Sequence, residues 1–347
     1  MRRVLISAAA AIGSALLIAG CSSSSSGSSG ASSAGADSSG GPVTVRLGYL
    51  ANITHAPALI AVKNGYFTKA LGSAGTLKTT VYSTGTEEST AILSGQLDAA
   101  YVGPNPAITA WQKSNGAAIK IISGVATGGA SVVVKPSVSS ASQLKGQSLA
   151  TPSLGNTQDV ALRYWLKQNG QTTSTTGGGD VAIKPTTPNS DAVLEFKSGQ
   201  IAGASEPAPY DVEMVQDGGK VLLTEPGVTT VLMVTQSFLS AHPTIVADLL
   251  KGQIEANDFI KTNPTQAAAD ANAELAAYTG KPLKSGVLTP AFKEITFTDN
   301  PDAASLTQDA QQAESVGLLQ SVNLNGIFDL GPLNKLLAAD GEPQVSS

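Results

Sequence analysis

From residue 43 onward, short apolar runs alternate with segments whose apolar positions recur every three or four residues. The runs at 43–50, 78–83, 99–103, 119–124, 132–135, 148–151, 181–185, 220–223 and 230–234 are short and rich in Val and Ile, which predicts strands. Between them the pattern predicts helices at 57–64, 87–94, 107–114, 157–168 and 191–197. Beyond residue 237 the helical period dominates, at 243–262, 264–278, 303–317 and 331–338. Pro243, Pro264 and Pro332 sit at first-turn positions, where a missing N–H removes no helical hydrogen bond. Strands separated by single short helices point to parallel sheets covered on both faces.

The same pattern divides the body into two α/β lobes. Two apolar strands, Val132-Val133-Val134 and Val231-Leu232-Met233-Val234, bracket a complete α/β block. If both are crossings, lobe 1 comprises residues 43–133 plus 235–340 and lobe 2 residues 134–234. A ligand then lies in the cleft at the carboxyl ends of the strands. A single doubly wound domain is the alternative.

The first 42 residues follow a different pattern. Met1-Arg2-Arg3 precedes an apolar run ending in Ile18-Ala19-Gly20-Cys21, which reads as a secretory signal peptide over residues 1–20. Ile-Ala-Gly-Cys resembles the bacterial lipobox, and Cys21 is the only cysteine, so no internal disulfide competes for it. Acyl chains on Cys21, at about 0.8 kcal/mol per buried methylene, would anchor the chain to a membrane. Residues 21–42 are nearly all Ser, Gly and Ala, a flexible tether with a reach on the order of 25 Å.

The 347 residues suit two domains, and 41% hydrophobic content supplies their cores. Net charge is −5, and no basic run occurs beyond Arg2-Arg3, which sets nucleic acid aside as a partner. Only 14% of residues are charged, so polar chemistry rests on Ser, Thr, Asn, Gln and Gly. These residues crowd the loops after strands: 51–57, 84–86, 103–106, 127–131, 153–157 and 205–207. The loop Ser153-Leu154-Gly155-Asn156-Thr157 opens a helix whose first N–H groups have no internal partner and lie at its positive end. It can cradle a sulfonate, phosphate or carboxylate without Arg; plain capping by Asn156 or Thr157 is the alternative.

Catalytic patterns are missing from the sequence. The histidines are His55 and His242 alone, and no GxxxxGK(S/T), GxGxxG or GxSxG occurs. The expectation is no enzyme, no cofactor and no metal site. Glu87-Glu88 fits a helix N-terminus. Asp159 and Arg163, four apart, are expected to pair on a helix surface, with Arg163 reaching a ligand as the alternative. Tyr164 and Trp165 are expected in the core.

Four segments together resemble solute-binding proteins of the nitrate/taurine/aliphatic-sulfonate type of ABC importer. They are "VRLGYLANITHAPALIAVKNGYFTKALG" (45–72), "GTEESTAILSGQLDAAYVGPNPAI" (85–108), "LKGQSLATPSLGNTQDVALRYWLKQNG" (144–170) and "EFKSGQIAGASEPAPYDVEM" (195–214). Ser205-Glu206-Pro207 replaces the usual Pro-Glu-Pro, and Ala208 stands where an aromatic is common. The resemblance implies the type II periplasmic-binding-protein fold, two α/β lobes with a cleft and two crossings. It implies capture of a small anionic solute, a sulfonate such as taurine or an alkanesulfonate leading, with nitrate, thiamine-precursor pyrimidines and other organic acids open. An enzyme reusing the fold and a non-transport signalling lipoprotein are the competing readings. The implied partners are an ABC permease with its ATPase and, through Cys21, the extracytoplasmic face of a bacterial membrane, with the chain acting as a monomer. The ligand-binding residues it implies are Asn52, Thr54, His55, Thr84, Gly85, Thr86, Gly103, Asn105, Thr127, Gly128, Gly129, Gly155, Asn156, Thr157 and Glu206.

Overall fold

The computed structural model describes residues 41–347 other than Gly177. The expected signal peptide, Cys21 and nearly all of the tether lie outside the described residues.

The chain begins with β1 (Val43–Leu50), then α1 (Ala56–Lys63), α2 (Tyr66–Leu71), β2 (Gly75–Tyr82), α3 (Gly85–Leu93), β3 (Ala99–Val102), α4 (Pro104–Lys113) and β4 (Ile119–Gly128). It continues through β5 (Ala130–Val134), β6 (Ser148–Thr151), α5 (Thr157–Gln168), β7 (Ala182–Pro185), α6 (Asn189–Lys197), β8 (Gly203–Pro207), α7 (Tyr210–Gln216) and β9 (Lys220–Thr224). β10 (Val228–Thr235), α8 (Gln236–Ala241), α9 (Pro243–Thr262), α10 (Pro264–Thr279), α11 (Ser285–Lys293), β11 (Ile295–Phe297), α12 (Ala303–Ser315) and α13 (Gly331–Ala339) complete it.

Two sheets organise these elements. One runs β11-β4-β10-β3-β1-β2 and the other β7-β6-β8-β5-β9. Both are mixed, which corrects the expectation of parallel sheets. β1 pairs in parallel with β2 and β3, and β6 with β7 and β8, whereas β4, β5, β9, β10 and β11 pair antiparallel. The antiparallel strands are those next to the passages between sheets, where the chain reverses instead of making a helical crossover.

Those passages also lie elsewhere than the apolar pattern implied. Val132-Val133-Val134 ends β5 and Val231–Val234 belongs to β10, each an interior strand of its own sheet. Such strands are buried on both faces and read as continuous apolar runs. The chain crosses at Gly129 and again over residues 225–227, so sheet membership bounds the second lobe near residues 130–224. Gly128 and Gly129 have φ of 69° and 71°, a left-handed backbone that a side chain would strain. The two crossings touch, with Gly128 N–H donating to the Gly227 carbonyl at 2.9 Å. Ser205-Glu206-Pro207, expected as a loop, lies in β8, and α2, α7, α8, α11 and β11 are further additions.

Each sheet is covered on both faces. In the first lobe, Leu47, Tyr49, Leu232 and Val234 face α1 and α9, while Val102, Met233 and Ile121 face α4 and α12. In the second, Val132, Leu149 and Ile183 meet Leu162 and Leu166 of α5, while Val133 and Ala204 meet Phe196 of α6 and Met214 of α7. The lobes are drawn together in this structure. Ile53 N–H donates to the Ala208 carbonyl at 2.9 Å, and the Tyr210 hydroxyl to the Ala51 carbonyl at 3.1 Å.

α5 is held by an ion pair that sequence spacing placed on its surface. Arg163 Nε donates to Asp159 Oδ1 at 2.9 Å, but the two residues are 1% and 0% exposed. Asp159 also accepts from Thr151 Oγ1 and from Gly155 N–H, and Arg163 Nη1 donates to the Ser174 carbonyl. Arg163 is therefore spent on the scaffold and does not reach the cleft. Removing one partner strands a buried charge, so Arg163→Met is expected to lower stability by about 3–5 kcal/mol. Urea unfolding measures this; a loss below about 1 kcal/mol would contradict the buried-pair account.

Candidate functional site

The carboxyl ends of β1, β2, β3 and β6 meet at a cleft between the lobes. Asn52, Thr54, His55, Thr84, Gly85, Gly103, Asn156 and Thr157 line it, together with Leu50, Ser83, Pro106, Pro152, Gln158, Asn189, Pro207 and Thr229. Its free volume is small, about 30 Å³ in this closed arrangement, room for about two waters. No charged side chain lines it among the described residues.

Three helices begin at this cleft. α3 starts after Thr84, whose Oγ1 accepts from Glu87 N–H at 3.2 Å; Glu87 reaches back to Ser83 N–H at 3.1 Å. α5 starts after Asn156, whose Oδ1 accepts from Asp159 N–H at 2.9 Å. α4 starts after Gly103 with Pro104 in its first turn, so fewer free N–H groups remain there. The first N–H groups of α3 and α5 stay unpaired within their helices, and the dipoles make all three ends positive. Helix starts arranged in this way can hold an anion through peptide groups alone.

Neutral side chains add donors. Thr230 Oγ1 donates to Thr54 Oγ1 at 3.2 Å, and Thr54 donates to Asn52 Oδ1 at 2.7 Å. This chain occupies the amide oxygen of Asn52 and leaves its NH₂ for the cleft. His55 Nδ1 accepts from Leu50 N–H at 3.2 Å, so Nε2 is the ring's donor. Burial pushes His55 down to about 3, which keeps the ring neutral. Thr157 Oγ1 is buried without a hydrogen-bond partner among the described residues. It lies 2.6 Å from where a Cβ on Gly103 would stand, so glycine is what permits the two lobes to approach there.

The remaining candidates lie elsewhere. Thr86 is at the rim, where its hydroxyl meets that of Ser153 across the lobes at 3.1 Å. Asn105 faces α12, its Nδ2 donating to the Asp309 carbonyl at 3.2 Å. Thr127, Gly128 and Gly129 end β4 and form the first crossing. Gly155 spends its N–H on Asp159 at 2.9 Å. Glu206 is wholly buried in β8, with both carboxyl oxygens unpartnered among the described residues, and does not line the cleft. Thr229 and Thr230, beside the second crossing, escaped the sequence reading because they sit inside an apolar strand. Asn189 escaped because it follows a loop that carries no glycine.

Several carboxyls here are neutral acids. Burial, then the charges of Asp211 and Glu225, pushes Glu206 well above the usual carboxylate range. Burial brings Asp211 to about 8 and Glu225 to about 7. Glu88, adjoining Glu87, is also wholly buried, without a partner and raised. The folded protein thus keeps protons that an unfolded chain releases above about pH 4.5. Their stabilising effect is complete in mild acid and is lost as pH rises through these folded values. Calorimetric Tm is expected to fall by about several degrees between pH 5 and pH 8. A Tm that rises over this window would contradict the protonated cluster.

The comparisons with known proteins follow this geometry. A family model described as the NMT1-like family matches residues 38–277. No curated protein sequence matches the chain. Among solved structures, the periplasmic nitrate-binding protein NrtA from Synechocystis PCC 6803 superposes with a TM-score of 0.72 at 15% identity, over 86% of this chain and 89% of that one. The alkanesulfonate-binding protein SsuA from Xanthomonas axonopodis pv. citri, bound to MOPS, gives 0.67 at 16% identity, over 82% and 96%. The periplasmic aliphatic sulphonate binding protein SsuA from Escherichia coli gives 0.61 at 18%, over 79% and 86%. These likenesses establish the two-lobed α/β fold of periplasmic binding proteins. With a family model spanning well over half of its length, the chain belongs to the NMT1-like family.

Proposed function

We propose that the protein is the solute-capturing component of an ABC-type importer, closing its lobes on a small oxoanion and delivering it to a membrane permease driven by a separate ATPase. The observation that carries this reading is the convergence of three helix N-termini with Asn52, neutral His55 and the Thr84 and Thr157 hydroxyls on one uncharged cleft. The family membership and the ligands named for NrtA and SsuA support it. A tether over residues 21–42 with a lipid on Cys21 would hold a monomeric capture protein at the outer face of the cell membrane.

The leading ligand is a sulfonate of the size of taurine. Its three oxygens match donors that arrive from both lobes. Nitrate is the second reading, favoured by the small free volume of the closed cleft. Capture needs no chemical step. It needs a hinge, which Gly128-Gly129 and Pro226-Gly227 supply, and contacts completed only on closure, such as Thr86 with Ser153.

Thermal shift of residues 42–347 against taurine, ethanesulfonate, nitrate, acetate and an aminopyrimidine tests this reading. A true ligand at 100 times its Kd adds about 2.7 kcal/mol of stability. A sulfonate or nitrate is expected to do so, and stabilisation by the neutral pyrimidine alone would overturn the oxoanion assignment. Gly103→Ala places a methyl against Thr157 and is expected to weaken the anion by about tenfold, read by calorimetry, with the fold retained.

A further inference from the structure

A second cavity shares only Thr157 and Thr229 with the anion cleft. It is larger, about 520 Å³, within the range of small-molecule sites. α5 and α12 face each other across it. Tyr164 and Trp165 lie seven and eight residues beyond Thr157, on the helix face that Thr157 begins. Both are half-buried and line the cavity, and Trp165 also packs against the second-lobe core.

The opposite wall is acidic. Glu225 comes from the second crossing, Asp302 from the cap that precedes α12 and Asp309 from α12; no Lys or Arg lines the cavity among the described residues. Glu225 is 7% exposed, and its Oε1 accepts from the Ser205 hydroxyl at 2.5 Å. Its Oε2 takes no hydrogen bond among the described residues. Asp309 Oδ2 is buried with no hydrogen-bond partner among the described residues. Burial, reinforced by the charges of Glu225 and Asp302, holds the Asp309 carboxyl well above its ordinary range. Ionised, these carboxyls would lack a counter-charge, and a cation entering the cavity would provide one and so favour their ionised form.

The kind of cation follows from the rest of the wall. Among the described residues, no three acidic, His or Cys groups are close enough to share a metal ion. Two aromatic rings give a bare ion little, whereas they attract an alkylated ammonium. We propose that this cavity binds an organic ammonium group, held by Glu225 and Asp309 and walled by Tyr164 and Trp165. The group belongs either to a free amine or quaternary ammonium ion, or to a zwitterionic solute whose anionic end occupies the adjoining cleft. The free-cation form stands independently of the importer reading, and the zwitterion form rests on it.

Calorimetry on the full chain at pH 8 separates these sources. The probes are benzyltrimethylammonium, neutral benzyl alcohol, taurine and ethanesulfonate. For a free cation, benzyltrimethylammonium binds, benzyl alcohol does not, and Asp309→Asn and Trp165→Ala each weaken the cation by about tenfold or more. For a zwitterion, Asp309→Asn weakens taurine but leaves ethanesulfonate unchanged. Asp309→Asn keeps the side-chain shape and removes a buried acid, so its Tm is expected to equal or exceed that of the parent. Trp165→Ala supplies a second readout that does not touch the carboxyls. If benzyltrimethylammonium does not bind and the taurine-to-ethanesulfonate ratio is the same in both variants as in the parent, the proposal is overturned. If the ammonium ion binds while every anion fails, the proposal stands and the oxoanion reading of the first cleft falls.

Discussion

A cleft that holds an anion without a cationic side chain depends on where helices begin. Peptide N–H groups at a helix start offer a partial positive charge, and that charge fades within one turn. α3 and α4 lie in one lobe and α5 in the other, so their ends act on a common point only when the lobes are closed. In the function proposed, the geometry of the crossings therefore sets the affinity of the cleft. The close approach of Gly103 to Thr157 and the hydroxyl contact between Thr86 and Ser153 are parts of that closed state. Neutral donors also make the site selective, because the walls contain no fixed charge that would attract every anion equally. A neutral His55, its Nδ1 already taken by a backbone N–H, fits this design.

The surroundings of the crossings follow a different logic. Glu206, Asp211 and Glu225 are buried close together, and burial keeps their protons on. Ionised, they would oppose an anion in the neighbouring cleft; protonated, they are compatible with it. Of these, Glu225 alone also lines the larger cavity beyond Thr157 and Thr229, where it joins Asp302 and Asp309 and, among the described residues, no Lys or Arg. Two adjoining spaces with opposite charge preferences suit a solute that has two ends.

Much of this organisation is visible in the amino-acid order, and the failures have physical causes. The strand–helix alternation and the long C-terminal helices are local features, and they stand where the pattern puts them; of the predicted loops, 56–57, 85–86 and 157 already belong to the helices that follow, but residues of all three meet at the cleft. Sheet membership is not local. Val132–Val134 and Val231–Val234 look like connectors because they are short and apolar, yet interior strands look the same. The true crossings are marked by Gly128-Gly129 and Pro226-Gly227, a backbone signal outranked by the hydrophobic one. Spacing paired Asp159 with Arg163 correctly, but spacing has no information on depth, and the pair is buried. Tyr164 and Trp165 needed the partner helix α12 before their cavity existed. Asn105 and Glu206 were named from their loops or motifs, and their side chains turn toward α12 and into the second lobe.

The central claim is that peptide dipoles and neutral donors from both lobes hold an oxoanion. A crystal structure of the protein with ethanesulfonate tests it most directly. The account predicts the sulfonate oxygens within hydrogen-bond distance of N–H groups opening α3 and α5 and of the Asn52 amide, with no Lys or Arg side chain in contact. A sulfonate found against a Lys or Arg side chain, or anywhere outside this cleft, would contradict it.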